Sequence, residues 1–144
     1  MIALDTNILV YAHWKDSDWY LAASKSIEDL TNRKAKWCIP WPCVHEFLGI
    51  VTHTKIYVPP STSAQAFQQI ETWLQSTHVA VIGETSLHLQ SIKILALESK
   101  INGPAFHDAR IAAICLQHGV TELWTADRDF SRFPKLKTRN PLVG

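Results

Sequence analysis

The chain has 144 residues, 47% of them hydrophobic and 19% charged. That length fits one domain with a substantial core, and the composition excludes a disordered tail. A formal net charge of +1 excludes a uniformly basic nucleic-acid binder but leaves room for a local basic patch.

Ile2 to Leu4 reads as a short buried strand, apolar on both faces. Asp5-Thr6-Asn7 breaks it, and Ile8 to Ala12 continues apolar beyond the break. Asp16 or Ser17 can cap a helix reaching to about Asn32, with Trp19, Ala23 and Ile27 on one face. Lys36 to Ile39 is a second strand, ended by Pro40. Pro42 suits the first position of a helix, and Val44, Phe47, Leu48 and Val51 supply its apolar stripe. Val58-Pro59-Pro60-Ser61 is a loop between helices. Ser63 to Ser76 is expected to be helical, with Phe67, Ile70 and Leu74 in register. His78 to Ile82 is a third strand, closed by Gly83. Ser86 to Lys100 carries Leu89, Ile92, Leu95 and Ala96 at helical spacing and stops before Asn102-Gly103-Pro104. Phe106 to His118 is a further helix, closed by Gly119. Glu122 to Thr125 is a fourth strand. Strands alternating with helices imply right-handed crossovers, hence a three-layer α/β fold with a parallel sheet flanked by helices, formed by residues 1–144 as one domain.

Cys38, Cys43 and Cys115 are odd in number and form no CxxC pair, so they read as small buried apolar residues in a reducing compartment. The N-terminus has no basic stretch and carries Asp5 within its apolar run, unlike a signal peptide. No apolar run is long enough to span a membrane, so the expectation is a cytoplasmic protein without membrane contact.

Four acids carry the functional signal. Asp5 follows the first strand and Asp127 the fourth; Glu46 and Asp108 stand in the first turns of helices. In a parallel sheet, the carboxyl ends of strands and the amino ends of the following helices share one edge, where ligands bind. Each acid also has a simpler role open to it. Asp5 can form an Asx-turn, Glu46 and Asp108 can favour a helix dipole, and Asp127 or Asp129 can cap a short helix near Phe130. Asp108, however, shares a helical face with Ile111, Ala112 and Cys115, where an acid serving only the dipole would not point. Gathered carboxylates repel one another, and a hard divalent cation, Mg2+ or Mn2+, relieves that repulsion. Other chemistries lack their motifs. Gly49 stands where a zinc-protease helix beginning His45-Glu46 needs its second histidine, and there is neither a Gly-rich phosphate loop nor a Gly-x-Ser-x-Gly elbow. An all-oxygen site suits metal-assisted phosphodiester cleavage.

The segment Leu4-Asp5-Thr6-Asn7-Ile8-Leu9-Val10-Tyr11 resembles the opening motif of the PIN (PilT N-terminal) domain nucleases. His107-Asp108-Ala109-Arg110-Ile111-Ala112-Ala113 and Thr125-Ala126-Asp127-Arg128-Asp129-Phe130 resemble the later motifs of that family, in order, and the likeness extends to VapC-type toxins of toxin–antitoxin pairs. The resemblance implies a single-strand-specific endoribonuclease needing Mg2+ or Mn2+, with RNA as substrate, a cognate antitoxin as partner and a homodimer as assembly. It implies Asp5, Glu46, Asp108 and Asp127 as metal-binding and catalytic acids. Asp129 would stand behind them, and Thr6, Asn7 and Thr125 would orient the carboxylates by hydrogen bonds. Five of the 14 basic residues fall between Arg128 and Arg139, and on charge alone they read as solvated surface. The motif puts Arg128 beside Asp127, which makes Arg128, Arg132 and Lys135 candidates for binding RNA phosphates.

The segment Trp41-Pro42-Cys43-Val44-His45-Glu46 is richer in aromatic residues and proline than the usual pattern, and His45 reads as a packed or capping residue before a catalytic one. Trp37, Trp73 and Trp124 belong to the core by pattern; Trp14, Trp19 and Trp41 lie near the site edge, where an exposed ring can stack a base. A phosphatase or phosphoacceptor domain is the main alternative, yet its haloacid-dehalogenase-like version wants a second aspartate where Asn7 stands. An inactive binding module of the same fold is disfavoured because all four acids are present.

Overall fold

The computed structural model describes residues 1–144. Five parallel strands, β1 (Ile2–Leu4), β2 (Trp37–Pro40), β3 (Val79–Ile82), β4 (Glu122–Trp124) and β5 (Thr138–Arg139), lie in the order β3-β2-β1-β4-β5. β1 sits centrally, with Ile2 in register with both Trp37 and Glu122, and Leu4 with Trp124. Six helices flank the sheet: α1 (Thr6–His13), α2 (Tyr20–Asn32), α3 (Trp41–Val51), α4 (Ser63–Trp73), α5 (His88–Ser99) and α6 (Ala105–Gln117). α1 packs on α2 and α3, α3 on α4, and α5 on α6. No helix is long and apolar enough to cross a membrane.

The expected α/β architecture stands, with two additions. The apolar run after Asp5 is a helix of its own: Asp5 adopts an extended backbone at the N-cap of α1, and its side chain accepts a hydrogen bond from Thr6 N. The fifth strand is only two residues long, and Thr138-Arg139 shows no apolar alternation that would announce it. The second helix begins at Tyr20, later than a cap at Asp16 or Ser17 would place it; Ser17 instead accepts from Trp19 N within the preceding turn. α4 is capped as a reciprocal pair: Thr62 Oγ1 accepts from Gln65 N (3.1 Å) and Gln65 Oε1 from Thr62 N (2.9 Å).

The core includes Trp37, Phe47, Phe130 and Phe133, all fully buried, together with Trp73 and Trp124 as their patterns require. Phe67 and Leu89, aligned with core stripes in sequence, are instead exposed. The three cysteines are free and buried, so they pack as small apolar side chains.

Candidate functional site

The site grows from the junction of β1 and β4. Asp5 N donates to Trp124 O (3.0 Å), which extends the β1–β4 ladder by one residue beyond β1. Asp5 is therefore 5% exposed, an unusual position for a carboxylate. Its oxygens are held from several sides. Thr6 N donates to Oδ1 (2.8 Å), Thr125 Oγ1 to Oδ2 (2.7 Å), and Asn7 Nδ2 to Oδ2 (3.3 Å). Cys43 Sγ adds a longer contact to Oδ1 (3.6 Å). Burial pushes the Asp5 carboxyl above the usual carboxylate range, and nearby Glu46 adds to it; the hydrogen bonds from Thr125 and Thr6 oppose the shift without cancelling it. Burial also raises the Cys43 thiol well above its ordinary value, so it stays protonated and donates to Asp5.

Thr125 and Asn7 tie this acid to the next one. Asn7 Nδ2 also donates to Thr125 Oγ1 (3.3 Å), and Asn7 Oδ1 accepts from Ala126 N (3.1 Å). Thr125 Oγ1 accepts from Asp127 N (2.9 Å). Asp127 in turn caps the 3-10 helix Arg128–Arg132, its Oδ1 accepting from Asp129 N (2.8 Å). Asp108 arrives from the first turn of α6. Carboxylate oxygens of Asp108, Asp127 and Asp129 all lie within 4.8 Å of one another. Burial raises the Asp108 carboxyl, as do Asp127, Asp5 and Asp129, while Arg132 acts in the opposite direction.

Asp5, Glu46, Asp108 and Asp127 come from four separate segments and line one cavity of about 270 Å³, with Thr6, Asn7, Tyr11 and Trp14 among its walls. Glu46 enters from α3 with its side chain exposed. Thr6 is buried, yet its hydroxyl oxygen has no partner, although it lies on this cavity's wall. An orphaned buried hydroxyl beside converging carboxylates is a donor set of hard oxygens, which fits Mg2+ or Mn2+ and offers no soft ligand other than a protonated thiol.

The remaining candidate residues spread outwards. Arg132 sits beside the acids, with Nε donating to Asp129 O (2.9 Å) and Nη2 3.7 Å from Asp129 Oδ2. Arg128 is exposed at the start of the same 3-10 helix. Lys135 pairs with Glu98 of α5 (3.2 Å) and lines a different cavity, with Leu87 and Gln90. His45 is exposed beside Trp41, the ring centroids 6.3 Å apart, and does not line the acidic cavity. Cys43 and Tyr57 reach the site although nothing in their sequence surroundings marks them for it, whereas Tyr11 closes the segment that resembles the family's opening motif. Cys43 is legible only as an apolar position, and Tyr57, in the loop between α3 and α4, is brought to the site only by the fold.

The PIN domain family model matches residues 2–136. The chain belongs to the PIN domain family. It is 30% identical over 144 residues to the VapC ribonuclease Mb2897 of Mycobacterium bovis, an alignment covering 100% of this chain and 97% of that protein. Among solved structures, this PIN domain superposes on VapBC2 from Rickettsia felis bound to a promoter DNA fragment, with a TM-score of 0.71 and 23% identity, over 97% of this chain and 98% of that one. It also superposes on the Sarcin-Ricin loop cleaving toxin VapC20 of Mycobacterium tuberculosis, with a TM-score of 0.66 and 18% identity, over 95% and 99% of the two chains. At those identities the structural matches speak for the fold.

Proposed function

We propose that this PIN domain is an endoribonuclease that cleaves single-stranded RNA with Mg2+ or Mn2+, and that it is the toxin of a toxin–antitoxin pair. The observation that carries the reading is the convergence of Asp5, Glu46, Asp108 and Asp127 on one cavity, in a chain related over its whole length to a VapC ribonuclease. These four acids are the proposed ligands. A bound cation supplies charge neutralisation and Lewis acidity at the scissile phosphate. The protein's part is orientation: Thr125, Asn7 and Thr6 fix Asp5, and Thr125 links Asp5 to the backbone of Asp127. Arg128 and Arg132 stand next to the acids and suit the flanking phosphates; Lys135, paired with Glu98 on another cavity, is the weaker candidate. Trp41, 45% exposed, offers a face on which a base can stack.

An antitoxin would silence the enzyme by covering this cavity, in keeping with the toxin–antitoxin complexes among the structural matches. A homodimer is proposed as its assembly, and the exposed Leu89, Ile94 and Leu97 of α5 are apolar surface available to it. The phosphatase alternative is not favoured: Asn7, two residues after Asp5, is a hydrogen-bonding amide engaged with Asp5 and Thr125. The experiment is cleavage of a mixed RNA pool with and without Mg2+, beside hydrolysis of a small phosphate ester. Cleavage of the RNA alone, abolished by chelation, is the expected result; hydrolysis of the ester with intact RNA would overturn it.

A further inference from the structure

A second, larger cavity of about 620 Å³ opens beside the acidic one, and Trp14 and Tyr57 line both. Its chemistry is different. Gln65, Gln68 and Gln69 enter from α4, and Asp16 lies on the turn after α1. Its wall is already assembled. His13 bridges Gln69 Oε1 (3.0 Å) and Ser61 Oγ (2.9 Å), while Tyr57 lies against the His13 ring at 5.9 Å and Trp14 at 5.2 Å from Tyr57. Gln65 and Gln69 each use the side-chain carbonyl within the protein, so the amide nitrogens are left as donors without an acceptor. Gln68 and Asp16 make no side-chain hydrogen bond. The half-buried Trp14 ring, three amides and a free carboxylate around a space of this size match the face and edge of an unpaired base.

We propose that this cavity is a nucleobase subsite that selects guanine near the scissile phosphate; the proposal rests on the ribonuclease reading above. Guanine presents the acceptors O6 and N7, which amide N–H groups satisfy, and N–H donors, which the Asp16 carboxylate satisfies. Adenine offers an amino group where guanine has O6; the side-chain carbonyls of Gln65 and Gln69 are already engaged and cannot accept it, so of the three amides only Gln68 can turn to it. Trp14 and Tyr57 at the shared wall place the base beside the acids, so the selected base lies at a fixed distance from the cut.

The test uses the full chain and a random-sequence RNA pool, reading the base frequencies around each cut by sequencing. Wild type is expected to enrich guanine at one fixed position, with a preference over adenine of roughly 5- to 150-fold, the range of a good base-edge contact. Asp16→Ala and Gln68→Ala change exposed side chains without partners, and each should bring that preference towards unity. A second measurement separates the two readings: binding of a fluorescent guanosine-containing oligoribonucleotide against its adenosine counterpart, in chelator, where no cleavage is possible. If wild type leaves the pool uncut in Mg2+ but binds the guanosine probe tighter, with the preference lost in Asp16→Ala, the ribonuclease reading fails and the subsite stands. Equal binding of both probes, or an identical cleavage profile in both variants, overturns the subsite. Variants that weaken only a protein partner overturn it too, assigning the cavity to a protein interface.

Discussion

Asp108→Asn should stabilise the metal-free protein and weaken its response to Mg2+. Asp108 sits in a group of three carboxylates whose oxygens lie within 4.8 Å. At that distance and the dielectric of water, each pair repels by roughly 0.9 kcal/mol, and partial burial increases it. Arg132 offsets part of the repulsion, and no hydrogen bond is among the influences on the Asp108 carboxyl, so the amide sacrifices no bond. The net gain is about 1–2 kcal/mol, or roughly 3–6 °C in melting temperature for a domain of this size. The pH dependence follows from the raised carboxyl. The folded state holds this proton more tightly than the unfolded chain, so the penalty is fully present above the raised folded pKa and vanishes as pH falls through the ordinary aspartate range. The advantage of the variant should therefore shrink on acidification. With Mg2+ a hundredfold above its Kd, wild type gains ~2.7 kcal/mol, while a site weakened tenfold gains ~1.4 kcal/mol, which closes or reverses the gap. Thermal unfolding in chelator and in Mg2+, at neutral pH and near pH 4, measures all of this. A variant less stable than wild type in chelator, or one that gains as much from Mg2+, refutes the argument.

Asp5→Asn should abolish RNA cleavage while circular dichroism reports an intact fold; wild-type turnover in Mg2+ would remove Asp5 from the site. Asp129 has an oxygen within 4.8 Å of Asp108 and Asp127 but does not line the acidic cavity, so Asp129→Asn should lower activity by about 10–100-fold, as expected of a group that orients ligands; a loss as complete as that of Asp5→Asn would make it a ligand. Reversing Arg132 and Lys135 to Glu should weaken RNA binding and flatten its salt dependence by ~0.7 for each phosphate no longer neutralised, the Lys135 share being smaller because Glu98 already pairs with it. Single-turnover cleavage at two Mg2+ concentrations should show an acid limb that moves to lower pH as metal rises, because protons and cation compete for the same oxygens; a limb that does not respond to metal would count against the carboxylate site and point to a histidine base.

What can be read from the sequence, and what cannot, follows from the range of the interactions involved. Asp5 and Asp127 stand out because a strand end in a parallel sheet is a known place for ligand groups, and both positions are set by local pattern. Thr125 and Asn7 are expected as supports, and the structure gives them a tighter geometry than spacing can express: one hydroxyl donates to Asp5 Oδ2 and accepts from Asp127 N. Helix α1 is hard to assign because eight residues with few polar positions show little amphipathic contrast, and the Asp5 cap that starts it looks equally like a turn. β5 is missed for the opposite reason, since two residues carry no period and Thr125 N donating to Arg139 O binds the strand only after the chain has returned. Phe67 and Leu89 have the right spacing for burial, but spacing records only which face a residue shares and not whether another element covers it. The same limit hides Cys43. Nothing local distinguishes a packed thiol from one aimed at a carboxylate, because the partner lies 38 residues away and is fixed by the packing of α3 on α1, which Asp5 caps. The cavity beside the site is built the same way, from α4, the loop before it and the end of α1, which meet only in the folded chain. Long-range placement, and not residue type, turns an ordinary glutamine or cysteine into part of a site.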